Sequence, residues 1–137
     1  MTAPTTVQMS LYASRPVLIN ATLMIKIYSN IIPFSGYKAL TMWPLLFVRK
    51  GARFGEVDER HEKIHGKQQK EMLLVLFPLW YALEYLVRLC IYRSHRKAYK
   101  TISLEQEAYG YQEDIYYLSR RRHYAWVRYI FKNKDNN

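Results

Sequence analysis

The stretch ERHEKIHGKQQKE, residues 59–71, places two histidines four positions apart, with a glutamate directly after the first. Residues i and i+4 of a helix lie one above the other on the same face, so His61 and His65 can offer ring nitrogens to one ion. On that helix Glu62 is turned about 100° from His61, where its carboxylate reaches a metal-bound water instead of the metal. Two ligands and a general base form the H-E-x-x-H arrangement, which predicts a zinc site.

The same stretch has an ordinary interpretation, a solvated helix face on which opposite charges pair. Glu59 with Lys63, and Lys67 with Glu71, have the i,i+4 spacing of such pairs. Asp58 is the expected N-cap of the helix in either case. We favour the metal site, and the identity of a third ligand has to decide.

The residues before this helix predict a small β element. The run LLFV (45–48) is typical of a strand, and a loop from Gly51 to Gly55 follows it. The β-branched run at residues 17–32 fits one or two strands or a short buried helix. Pro33, with the Ser-Gly pair that follows it, predicts a turn between the two segments.

Residues 72–91 form a mostly apolar run of 20 residues, long enough to cross a bilayer as one helix. Pro78 interrupts this run, and Glu84 and Arg88 lie inside it at a spacing that allows them to pair. A single crossing would separate the two histidines from the acidic residues that follow it. We therefore expect a helical hairpin kinked at Pro78, with a single span as the alternative.

The residues alone leave the third metal ligand open. A catalytic zinc site needs three protein ligands and one open position. Glu105 and Glu107 open a helix that the capping-box spacing of Ser103 and Gln106 predicts through residue 118. Two residues apart, these glutamates cannot both face one ion. The other candidates are Glu71, Glu84, His95 and His123.

HEKIH (61–65) followed by SLEQEAY (103–109) resembles the gluzincin metallopeptidases. In gluzincins a glutamate that opens an E-x-x-A-D or E-x-x-A-N motif on a later helix is the third ligand. The order of strand, H-E-x-x-H helix, apolar stretch and EQEAY is also similar to that of small bacterial H-E-x-x-H proteins, over roughly residues 35–125. The resemblance implies that Glu105 binds the zinc, and it places Tyr109 where the family usually has Asp or Asn.

Several side chains are expected to support the ligands. Gln68 continues the face of the two histidines, so its amide is expected to contact a ligand. Glu107 and Tyr109 are kept as ligand contacts or alternative ligands. In gluzincins the strand before the active helix often lies along the substrate, which assigns residues 45–49 to peptide binding by β-augmentation.

Composition predicts one domain with an anionic partner. The chain has 137 residues, half of them hydrophobic, and we expect a single domain over residues 15–132 with disordered ends at 1–14 and 133–137. The net charge of +10, with 13 tyrosines and 3 tryptophans, favours an anionic membrane surface. Arginines and aromatics alternate over 119–132, but no recognised nucleic-acid module surrounds them, which disfavours nucleic acid.

Cysteine content and the first residues bear on location. Cys90 is the only cysteine, so no disulfide forms within one chain and a reducing compartment is expected. The chain has no positive charge before Arg15 and no compact apolar segment there, so no cleaved signal peptide is expected. We expect a cytoplasmic protein, peripheral to or embedded in the inner membrane.

These patterns predict a mainly α (α+β) fold, a helical domain with a small β element before the H-E-x-x-H helix. The resemblance implies a zinc-dependent metallopeptidase acting on a peptide or protein substrate, with Zn²⁺ on His61, His65 and Glu105 and with Glu62 as the base. The alternative is a non-catalytic membrane-associated or interaction protein whose H-E-x-x-H site is structural or vestigial.

Overall fold

A computed structural model describes residues 23–132 and confirms a mainly α fold with a small sheet before the helices. The predicted disordered ends at 1–14 and 133–137 lie outside the described residues. The strands are β1 (Ile25–Ser29), β2 (Ala39–Met42) and β3 (Leu45–Arg49). The helices are α1 (Glu56–Glu71), α2 (Leu76–Tyr92), α3 (His95–Thr101), α4 (Ser103–Tyr111) and α5 (Tyr117–Arg120), followed by a 3-10 helix (Ala125–Tyr129).

The sheet has the order β1-β3-β2, with β3 parallel to β1 and antiparallel to β2. Alternation along β3 buries Leu46 and Val48 completely. Because both edges of β3 are hydrogen-bonded to neighbouring strands, the prediction that residues 45–49 receive a peptide by β-augmentation is wrong. Within the described residues, the free edge nearest the helices belongs to β2, whose Thr41 contacts α1.

Helix α1 begins earlier than expected. Gly55 is its N-cap, and Asp58 is the third residue of the helix, where its carboxylate accepts a hydrogen bond from the Gly55 N–H at 2.9 Å. The N-cap role predicted for Asp58 is therefore wrong, although its carboxylate still satisfies a free N–H group at this helix end. The predicted Glu59–Lys63 pair forms at 2.8 Å.

The chain reverses between α1 and α2, but not at Pro78. The two helices are bent by 110° at a short break in which Leu73 and Leu74 are left-handed, with φ of 52° and 62°. Helix α2 then runs unbroken from Leu76 to Tyr92, and Pro78 lies in its first turn, where a missing N–H costs nothing. The hairpin kinked at Pro78 is therefore corrected to one bend followed by one helix.

No single helix among residues 23–132 is long and apolar enough to cross a bilayer. By length and composition alone, the bent pair α1 and α2 meets that condition together.

The start of α4 is held by α2 and not by the predicted capping box. Ile102 is the N-cap and Ser103 is the first helical residue. The buried Glu84 carboxylate accepts hydrogen bonds from the Ser103 N–H, at 2.9 Å, and from its hydroxyl. Glu84 also pairs with Arg88 at 3.1 Å, as its spacing predicted. This contact matters for the site, because Glu105 lies two residues beyond the fixed helix end.

The core places α4 between α1 and α2. Ile64 of α1 packs with Ala108 of α4 and Tyr117 of α5. A second cluster joins Met72, Ile102, Leu104 and Trp126, with aromatic side chains of α2 packed against it. The helix predicted through residue 118 ends at Tyr111, so α4 is short and presents Glu105 to α1.

Candidate metal centre

Three side chains meet where α4 crosses α1. His61 Nε2 and His65 Nε2 are 3.1 Å apart, and the Glu105 carboxylate lies 3.2 Å from the first and 3.4 Å from the second. All three residues are buried. With bonds of about 2.0–2.2 Å, two ligand atoms of a tetrahedral zinc ion are about 3.3–3.5 Å apart. The trio can therefore hold a metal ion, and among residues 23–132 it is the only such His, Cys, Asp and Glu group.

The outer nitrogens of both imidazoles are held by glutamine side chains. His61 Nδ1 lies 3.0 Å from Gln112 Oε1, and His65 Nδ1 lies 2.8 Å from Gln68 Oε1. Because an amide oxygen only accepts hydrogen bonds, each Nδ1 carries the proton. In the neutral rings each Nε2 then has a lone pair that points at the shared centre, which is the orientation that a metal-binding histidine needs.

One carboxylate oxygen of Glu105 has no hydrogen-bond partner, and a bound cation would fill that role. Its Oε1 accepts a hydrogen bond from the Tyr81 hydroxyl at 2.9 Å. Its Oε2 is buried and has no hydrogen-bond partner. An unpaired carboxylate oxygen in a protein interior is costly, so this orphaned atom beside two imidazole nitrogens fits a bound metal ion.

The electrostatics of the trio favour positive charge at its centre. Burial alone lowers the pKa of His65, but the negative charge of Glu105 outweighs it and raises the pKa to about 9. Burial raises the pKa of the Glu105 carboxyl, and the neighbouring histidines reverse this and hold it well below its usual range. A metal ion can replace the proton as the cation that Glu105 attracts.

Glu62, the predicted base, faces the open side of the centre. It lines a cavity of about 580 Å³ together with His65 and Glu105, and a second cavity of about 670 Å³ together with His61. The Thr41 hydroxyl of β2 donates a hydrogen bond to Glu62 Oε2 at 2.6 Å. The sheet thereby fixes the direction of this carboxylate.

The two cavities differ in character. The first lies between β2 and the start of α2 and is lined mainly by apolar side chains, among them Phe34, Leu40, Met42, Leu74 and Phe77. The second is more polar than the first, and its lining includes Lys38, Asp58, Arg96 and Gln112. Glu62 lies at the boundary of both.

Glu107 does not reach the trio, so its role as an alternative ligand is not supported by its position. It is fully buried and pairs with Arg121, and it accepts a hydrogen bond from the Tyr117 hydroxyl at 2.8 Å. Gln68 Nε2 donates to Glu107 Oε2 at 3.0 Å. Glu107 therefore orients Gln68, which in turn orients His65.

The other ligand candidates are engaged elsewhere. Glu71 pairs with Arg121 and not with Lys67, and Glu84 pairs with Arg88. His95 contacts the Tyr85 hydroxyl, and the exposed His123 lies beside Glu71. Because Arg121 is buried between two carboxylates, the arginine cluster at 120–122 is not a free cationic patch.

Tyr109 contacts a ligand by packing. Its ring meets the His61 ring edge-on, with centroids 4.5 Å apart, and its hydroxyl lies 3.4 Å from that of Tyr99. The acceptor for His61 is Gln112, which sequence reasoning missed. Gln112 lies seven residues after Glu105, two helical turns along the same face, and this spacing is the signal that could have found it. Tyr81 and Thr41 give no such local signal.

The chain matches no model of a known protein family, no curated protein and no solved structure.

Proposed function

We propose that the protein is a gluzincin-like zinc-dependent peptidase. His61, His65 and Glu105 would hold the Zn²⁺ ion, and Glu62 would act as the general base. The observation that carries the proposal is the buried trio with ligand spacing, open toward a cavity that Glu62 also lines. Three protein ligands with one open position are typical of catalytic zinc sites, whereas structural sites are closed by four.

Zinc, when bound, polarises a carbonyl oxygen and lowers the pKa of a water in the open position. The residues of this chain would transfer the proton and orient the metal ligands. Glu62, held by Thr41, accepts the proton of the attacking water and later delivers it to the departing amine. Gln68 and Gln112 hold both imidazoles with Nε2 inward. The same two histidines and one carboxylate also suit Fe(II), so metal identity has to be measured.

We place a peptide substrate on the outer edge of β2. This strand, Ala39–Met42, has no neighbouring strand on that edge among the described residues. Gln69 Nε2 donates to the Thr41 carbonyl there at 2.6 Å, so a peptide would have to displace this side chain or pair beside it, and the Thr41 hydroxyl ties the strand to Glu62. A peptide that adds to this edge lies beside the base, and its apolar side chains can enter the first cavity. We further propose that the enzyme acts in the cytoplasm at the inner membrane, on peptide or protein chains.

The test is elemental analysis of the purified protein combined with hydrolysis of an unbiased peptide library. We expect about one zinc per chain, lost in His61→Ala and in Glu105→Ala. Glu62→Gln should keep the zinc and lower kcat by about 10²–10⁴-fold, the usual contribution of a general base. The matched control is Glu56→Gln, an exposed glutamate on the same helix, which should change neither quantity.

Two results would contradict the proposal. Wild-type protein that binds neither zinc nor Fe(II) after incubation with each metal would leave α1 without a metal function. Zinc held by the trio with no hydrolysis of any peptide would favour the alternative, a non-catalytic interaction protein with a structural site.

A further inference from the structure

Helix α2 distributes its side chains in the opposite way from a helix of a water-soluble protein. Its inward side carries the buried Glu84–Arg88 ion pair and aromatic rings that pack on the core. Its outward side carries leucines that are more than half exposed, including Leu79 at 62% and Leu83 at 56%. An apolar outer face with a charged inner face needs an apolar environment outside the helix.

This outward side is continuous with the bend before the helix. We define the apolar face as Leu76, Leu79, Leu83, Leu86 and Ile91 of α2 together with residues 73–75, all exposed. Leu74 also lines the first cavity, as do Phe77 and Pro78. The apolar face therefore reaches the mouth of the cavity that contains Glu62.

The exposed charged residues that adjoin the apolar face along the chain are all basic. Between residues 72 and 104 the only acidic residue is Glu84, which is buried and paired. Lys70 is exposed at one end of the face, and Arg93, Arg96 and Lys97 are exposed at the other. Exposed leucines with a basic rim complement acyl chains beneath phosphate headgroups.

We propose that the apolar face inserts into the headgroup and acyl boundary of an anionic phospholipid bilayer, with α2 lying along the surface. A second copy of the chain is a poorer occupant, because two chains of net charge +10 would bring their basic rims together. The proposal goes beyond the peptidase function and does not depend on a bound metal.

The single cysteine gives a direct reporter. Cys90 is exposed on α2, seven residues after Leu83 and therefore on the same side of the helix. A polarity-sensitive fluorophore attached to Cys90 should shift to shorter emission wavelength with phosphatidylglycerol vesicles and much less with phosphatidylcholine vesicles. His61→Ala should show the same shift, which separates this result from the fate of the metal site.

Paired variants locate the contact. Leu79→Gln with Leu83→Gln should weaken vesicle binding by at least about tenfold, because each half-exposed leucine loses its transfer into the bilayer. The control pair is Ile25→Gln with Ile115→Gln, which have matching exposures of 57% and 62% but lie outside α2 and the bend. Arg93→Gln with Lys97→Gln should weaken binding about fivefold per residue, for anionic vesicles only.

Circular dichroism confirms that each variant is folded before binding is measured. An unchanged emission of labelled wild type with phosphatidylglycerol vesicles would overturn the proposal. Equal losses in the leucine pair and the control pair would overturn the assignment to this face. A wild-type dimer in light scattering that Leu79→Gln with Leu83→Gln converts to monomers would assign the face to a second copy instead.

Discussion

Helices α1 and α2 are separated by only four residues, yet they differ in which side chains they bury and which they expose. Helix α1 buries His61, His65 and Gln68 and exposes part of its charged surface. Helix α2 buries one ion pair and exposes its leucines. In both helices the buried polar side chains have partners from other elements, such as Gln112 for His61 and Ser103 for Glu84. A polar side chain in these two helices is buried where another element provides a hydrogen-bond or ion-pair partner for it.

The largest expected effect tests the ion pair of α2. Glu84→Ala leaves Arg88 buried without its partner and removes the acceptor at the start of α4, so we expect a loss of roughly 3–5 kcal/mol in the free energy of unfolding. Urea denaturation measures it. Glu84→Leu with Arg88→Met removes both charges and should recover the part of the loss that comes from the unpaired arginine, but not the part that comes from the lost acceptor of Ser103. A double variant no more stable than the single one would contradict a buried ion pair.

Removal of the metal tests how much an ion bound to the α1 histidines stabilises the folded protein. A ligand that binds only the folded state at about 1,000 times its Kd stabilises that state by about 4 kcal/mol. Chelation should therefore lower Tm by roughly 10–20 °C for a chain of this size. Thermal scans with and without a chelator measure the change. His61→Ala should be insensitive to the chelator, and an equal fall in that variant would show that the chelator acts elsewhere.

A smaller effect is expected at the glutamines that hold the imidazoles. Gln68→Ala and Gln112→Ala should each weaken zinc affinity by roughly 10–100-fold, because the histidine ring loses the acceptor that fixes its tautomer. Competition with a chromophoric chelator gives the affinities. Gln106→Ala is the control, since its amide donates to the Thr101 carbonyl and not to a ligand. Wild-type zinc affinity in both variants would show that neither glutamine positions a metal ligand.

The smallest effect concerns the apolar face. Leu79→Gln and Leu83→Gln should each change the free energy of unfolding by no more than about 0.5 kcal/mol, because both side chains are mostly exposed in the folded protein. Urea denaturation without lipid measures this. Losses as large as that of Glu84→Ala would mean that these leucines are packed against protein, and the contrast between α1 and α2 would disappear.

The sequence predicts the local parts of the site well and its long-range parts poorly. His61, Glu62, His65 and Gln68 share one helix, so spacing alone relates them. Glu105 lies forty residues beyond His65, and only the resemblance to gluzincins selects it from the candidate third ligands. Contacts that depend on tertiary packing leave no pattern in the sequence, and the hydrogen bond from the Tyr81 hydroxyl to Glu105 is an example.

The errors in the fold have equally specific causes. Pro78 predicts a kink, but the first turn of a helix tolerates proline, and two left-handed leucines make the bend instead. The resemblance to gluzincins assigns the substrate to the strand directly before the H-E-x-x-H helix, which is β3. The pattern of apolar residues along a strand does not distinguish a central strand from an edge strand. In the sheet, β3 is central and the short β2 is an edge strand.

The buried chain of contacts from Arg121 through Glu107 and Gln68 to His65 has a consequence for synthesis of the protein. The ribosome releases residues in order, so His61 and His65 emerge long before the residues that complete and hold their site. A nascent chain that has not yet exposed residue 121 lacks the buried cation that pairs with Glu107, the carboxylate to which Gln68 donates. The support that holds His65 in place is therefore completed only after the two histidines themselves have emerged.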